Sequence, residues 1–281
     1  MSAEVSIGDA EAARLAPHPL RNAILGELHA RPFTALTVPA RILHFAFDTA
    51  GERGHADRVN LAKFCEARGL PVPTFSERHY RVAFGTTALR WEQHSEFTTY
   101  TWELPSPAGG IPFHPPAAAL ATPMQLVPQP GPLLVAIDMH VLADGPAVQP
   151  PERLFERTSL ALAENNDGAA IYATDFQPDP SGFVRILVVD RKLNPDRAGA
   201  LTQRVIEIET YRTLALLGLP EAQRLSPSIS AVEQRLAEVT DKMRSNRNLA
   251  DNRHLLDELT ALAAEVEAGA AASVFRFGAS R

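Results

Sequence analysis

Five apolar residues near the C-terminal end of this chain, Ile229, Val232, Leu236, Val239 and Met243, recur at spacings of 3, 4, 3 and 4. A seam that narrow is suited to burying one partner helix. The polar stretch RSNRNLADN interrupts the pattern, and Leu255, Leu259, Leu262 and Val266 resume it on a second segment. Two such segments joined by a short polar loop predict an antiparallel helical hairpin. Ser226 and Pro227 form the start signal of its first helix. A longer helix precedes the pair. Asn194 is placed to cap it and Pro195 to take its first position. It is expected to run to Leu217 or Gly218, ahead of Pro220. Its second half, YRTLALLGL, is apolar nearly all round and is expected to be buried.

Upstream the pattern changes from helical to alternating. RILHFAFDT (41–49), HYRVAFG (79–85), TALRWEQ and EFTTYTWEL read as strands, the last three as an antiparallel meander. LLVAIDMHVL (133–142), LALAENN, AAIYATDF and FVRILVVDR read as further strands. QPDPSG predicts a hairpin between the last two. Helices are expected over 19–30 and 55–68, the latter stopped by Gly69. The proline-rich stretch 105–132 is expected to be irregular, with one short helix near 116–122. The resulting fold class is α+β: a mainly antiparallel sheet with flanking helices, followed by a C-terminal helical hairpin. Residues 1–17 read as a disordered lead-in, 18–190 as the α+β domain and 191–281 as the helical region.

Composition narrows the function classes. The net charge of −6 and pI near 5.9 argue against a nucleic-acid partner, which would call for a basic stripe. No run of about 18 apolar residues is present to span a bilayer, and the first residues have no signal-peptide pattern. The single cysteine, Cys65, suits a reducing compartment and reads as a small core hydrophobe.

Three clusters carry candidate chemistry. Glu92, His94 and Glu96 alternate in WEQHSEF, and on a strand they would share one face. Carboxylate and imidazole ligands suit a divalent metal such as Zn²⁺ or Mn²⁺. The bland alternative is a solvated strand face over Trp91 and Phe97. A second cluster gathers His18, Arg21, Glu27, His29 and Arg31, with polar contacts to the sheet as its simplest role. Were it to meet the first through Arg90, the two would form one site. Glu207, Glu209, Tyr211 and Arg212 are neighbours along a helix and read as a structural ion-pair group. Phosphate-binding loops, nucleophile elbows and HExxH helices are absent from the sequence.

Four blocks in order, HPLRNAILGELHARP, LRWEQHSEFTTYTW, DRKLNPDRAGALTQRVIEIETYRTLALLGLP and LLDELTALAAEVE, resemble domain-of-unknown-function family 3422. These are predicted membrane-anchored bacterial proteins with no assigned activity. The resemblance runs from about residue 18 to the end. It implies further helix and a hydrophobic anchor beyond Arg281, and the abrupt end, SVFRFGASR, agrees with that expectation. An α/β front, long helices and a C-terminal membrane segment are also similar in order to CorA-type magnesium transporters, as architectural analogy alone.

The expected function is therefore non-enzymatic. The chain would be a domain on the cytoplasmic face of the inner membrane, acting through assembly or ligand sensing. It would attach through the missing segment and form a homo-oligomer through the helical region, with no resident cofactor. One alternative is a metal-assisted hydrolase, in which a carboxylate base and a metal-bound water would act at the Glu/His clusters. Another is the cytoplasmic domain of an ion transporter.

Overall fold

The computed structural model describes residues 33–106, 111–117, 123–146, 148–165, 167–245 and 249–279. Eight strands form one sheet: β1 (Ala40–Asp48), β2 (His79–Phe84), β3 (Thr87–Gln93), β4 (Phe97–Pro105), β5 (Leu133–Ala143), β6 (Ala161–Glu164), β7 (Ala170–Thr174) and β8 (Val184–Asp190). Their order is β2-β3-β4-β1-β5-β8-β7-β6. Neighbours are antiparallel except β5 and β8, which run parallel. Among the described residues four α-helices accompany the sheet: α1 (Arg53–Glu66), α2 (Pro195–Leu216), α3 (Gly218–Ser245) and α4 (Leu249–Ala279). This is the α+β arrangement expected from the alternating and helical periods.

β1 is central because both of its faces are covered. Leu43, Phe45 and Phe47 join the cluster under α1, whereas Ala40, Ile42 and Ala46 join the cluster under α2. The alternation of a strand thus feeds two cores at once. On the first face Leu61, Phe64 and Cys65 of α1 pack with Trp91, Tyr100 and Trp102. The helix ends as expected at Gly69, whose φ of +64° suits a residue without a Cβ. The Leu70 amide donates to the Cys65 carbonyl at 3.0 Å and the Gly69 amide to that of Glu66 at 3.1 Å, a Schellman closure.

On the second face α2 lays Ala198, Val205 and Ile206 across β1, β5 and β8. Its start is the expected one: the Arg197 amide donates to Asn194 Oδ1 at 2.8 Å, and Pro195 occupies the first helical position. Gly199 lies so close to Thr34 that a Cβ would overlap the Thr34 carbonyl oxygen.

Two expectations are corrected here. The second half of α2 is not buried: the buried positions of this helix end at Thr210, and Tyr211 and Leu216 are about half exposed. The helix has run past the apolar surface that covers its first half. The next helix does not start at Ser226–Pro227 but at Gly218. Pro220 falls in its first turn, where an amide has no intrahelical acceptor, and Pro227 lies inside it. Of the short helix expected near 116–122, residues 118–122 lie outside the described residues; a 3₁₀ segment follows at Pro123–Leu126. The expected helix over 19–30 and the lead-in also lie outside them. Among the described residues no helix is long and apolar enough to cross a membrane.

Candidate functional site

The strand that was to present Glu92, His94 and Glu96 on one face ends at Gln93. The His94 amide donates to the Phe97 carbonyl at 2.8 Å, closing a tight turn, and the His94 ring stacks on Phe97 at 3.9 Å. Glu96 lies within that turn, its carbonyl accepting from the Thr49 amide. The alternation needed for a three-ligand face is therefore lost before His94. Among the described residues no group of three or more His, Cys, Asp or Glu side chains is placed to hold a metal. Nor is Glu92 on a solvated face. Its side chain is 12% exposed, with His79 Nδ1 at 3.6 Å and Arg90 Nε at 3.9 Å. His18, Arg21, Glu27, His29 and Arg31 lie outside the described residues.

What the structure does bring together is a polar seam between β3, β4, β1 and α2. Arg90 Nη1 donates to Gln203 Oε1 at 2.8 Å, and Gln203 Nε2 donates to Glu207 Oε1 at 2.8 Å. Buried His44 lies 2.8 Å from Thr101 Oγ1 through Nδ1 and 3.2 Å from Thr210 Oγ1 through Nε2. The Thr210 hydroxyl gives its hydrogen to the Ile206 carbonyl at 2.8 Å. It therefore accepts from His44 Nε2–H, leaving Nδ1 to accept from Thr101. That arrangement fits a neutral ring. Burial, reinforced by the Arg90 charge, lowers the His44 pKa to about 3. Two recesses open along the seam, both lined by Arg90 and Ile206. Each holds about 20 Å³, space for a water molecule rather than an organic substrate.

A second buried polar group was not anticipated from the sequence. Arg41 makes a two-pronged contact with Asp138, Nε to Oδ1 at 2.8 Å and Nη2 to Oδ2 at 2.6 Å, and gives Nη1 to the Pro115 carbonyl at 2.9 Å. His140 Nε2 lies 3.7 Å from Asp138 and accepts from the Phe113 amide at 3.2 Å. Burial, with Arg41 nearby, lowers the His140 pKa to about 3. Asp57 of α1 likewise accepts from Trp91 Nε1 at 2.9 Å and from the Tyr100 hydroxyl at 2.6 Å. The sequence signal for Arg41 and Asp138 was a charged residue inside an otherwise apolar run, RILHFAFD and LLVAIDMHVL. Their hydrogen-bonding positions are turned toward the protein, which suits bracing more than chemistry. The ion pair expected on α2 is present: Arg212 grips buried Glu209 through two hydrogen bonds of 2.8 Å.

The hairpin carries a row of exposed apolar side chains. Val239, Leu255 and Leu262 are buried between α3 and α4. On one side the helices are tied by Arg235–Glu265 at 2.9 Å, Lys242–Glu258 at 3.6 Å and Ser228–Glu265 at 3.3 Å. Of the remaining residues of the predicted seam, Val232 and Leu259 are partly buried and the others are left open. Ile229 is 54% exposed, Leu236 46%, Met243 53% and Val266 53%, with Leu256 of α4 at 62%. At 3.6 residues per turn, Ile229, Leu236 and Met243 follow one line along α3, set to the side of the helix away from Arg235 and Lys242. The ion-pair register places Leu256 level with Met243.

The family described as "Protein of unknown function (DUF3422)" matches residues 16–281. No curated protein and no solved structure matches the chain.

Proposed function

We propose a function for this chain from one premise: it belongs to the family described as "Protein of unknown function (DUF3422)". The function is assembly. The sheet and α2 form a braced support, and the α3–α4 hairpin is an association arm. The observation that carries this reading is the one-sidedness of the hairpin. Ion pairs close one side, while Ile229, Leu236, Met243 and Leu256 line the other and stand about half exposed. Contiguous exposed apolar side chains rimmed by polar ones are characteristic of protein interaction sites.

In the same reading the full-length protein is bacterial and held at the cytoplasmic face of the inner membrane, with the hairpin leading toward the anchor. That extension is supported by the family resemblance alone. A metal-assisted hydrolase has less behind it: among the described residues the recess beside Arg90 and Glu92 holds about 20 Å³.

Light scattering on a sizing column tests the assembly reading. The unaltered chain should elute as an oligomer, and a chain carrying Leu236→Glu with Met243→Glu should elute as a monomer with the same thermal midpoint for the sheet domain. An unaltered chain that elutes as a monomer at every loading would end this proposal.

A further inference from the structure

The open side of the hairpin has polarity along its length. Arg235–Glu265 and Lys242–Glu258 fix the register between α3 and α4. In that register Glu233 lies level with Glu267, and Arg244 lies within a turn of Arg253. All four are exposed. Glu233 follows Ile229 by one turn and so flanks the apolar line, and Arg244 follows Glu233 by three turns along the same line. On α4, Glu267 lies three turns beyond Leu256 and Arg253 one turn before it. The apolar side therefore has an acidic end and a basic end.

We propose that a second copy of this chain covers this face, its hairpin turned end for end, so that the two hairpins form an antiparallel four-helix bundle. This rests on the assembly reading and names its partner and geometry. The midpoint between Glu233 and Arg244 falls beside Val239, and the midpoint between Arg253 and Glu267 falls at Thr260. The two ion pairs place Val239 and Thr260 at one level. A single two-fold axis crossing the hairpin there sets Glu233 opposite the partner's Arg244 and Glu267 opposite the partner's Arg253. It also brings Leu236 against the partner's Met243 and Met243 against the partner's Leu236, as an isologous interface requires. A two-fold along the helices does the reverse. It sets Glu233 against the partner's Glu267 and Arg244 against the partner's Arg253, and like charges facing each other reject that arrangement.

Charge reversal with sedimentation equilibrium tests the geometry on the full chain. Glu233→Arg alone and Arg244→Glu alone should each weaken the dimer, raising its Kd roughly tenfold. The chain carrying both should recover the original Kd, because each new arginine meets a new glutamate of the partner. A second readout uses cysteine pairs. Glu233→Cys with Arg244→Cys in one chain should form an oxidised cross-linked dimer, and either substitution alone should not. A dimer indifferent to single reversal, or cross-linked by Glu233→Cys alone, overturns the antiparallel geometry and leaves assembly standing. A chain that never dimerises overturns both.

Discussion

Arg235 Nη1 lies 2.9 Å from Glu265 Oε2 across the α3–α4 hairpin, and both side chains are nearly half exposed. The pair fixes register more than it stabilises. Arg235→Ala should lower stability by less than about 1 kcal/mol, as for exposed ion pairs in general. Leu262→Ala, which empties a buried position on the same hairpin, should cost about 2–5 kcal/mol. Thermal melts followed at a probe within the hairpin would compare them.

The Arg41–Asp138 contact behaves differently, because both groups are buried. Arg41→Met strands the carboxylate and should cost about 3–5 kcal/mol, whereas Arg41→Met with Asp138→Leu should recover most of that loss. Chemical denaturation of the three chains measures the difference.

His44 and His140 make the fold acid-sensitive. Both have folded-state pKa values of about 3, against about 6.5 in an unfolded chain. Protons below that value bind the unfolded chain preferentially. Their contribution is complete above about pH 6.5 and is lost as pH falls toward 3. Between pH 7 and pH 5 each histidine should remove about 2 kcal/mol of stability. Denaturation at the two pH values should show this loss, and His44→Gln should reduce it by roughly half.

Gly199→Ala should loosen α2 from the sheet, since the added Cβ overlaps the Thr34 carbonyl oxygen. A loss of about 1–3 kcal/mol is expected, with faster amide exchange at Leu36, whose N–H donates to the Pro195 carbonyl at 2.9 Å.

Local patterns were legible. Alternation in RILHFAFDT and EFTTYTWEL placed β1 and β4 to within a residue or so, and Asn194–Pro195 marked the start of α2, because each signal acts over one turn or one pleat. Pairing between consecutive strands was legible too, in the β2–β4 meander and the β7–β8 hairpin, but long-range pairing was not. The parallel contact of β5 with β8 joins segments far apart in sequence, and no local pattern encodes it. The candidate site suffered from the same limit. WEQHSEF alternates as a string, but the turn at His94 takes its end off the strand. The buried role of His44 depends on Thr101 and Thr210, two residues brought to it by tertiary packing. The seam of α3 was visible as a heptad, whereas its division into a closed and an open side required knowing where α4 sits.

Sedimentation equilibrium of the unaltered chain is the most direct test of the account. A face of half-exposed apolar residues covered by a second copy predicts association by mass action, with the mass rising from that of the 30.5 kDa chain toward twice that value as concentration increases. A mass that stays at 30.5 kDa up to about 100 µM, where a dimer of micromolar Kd would be well populated, would contradict it.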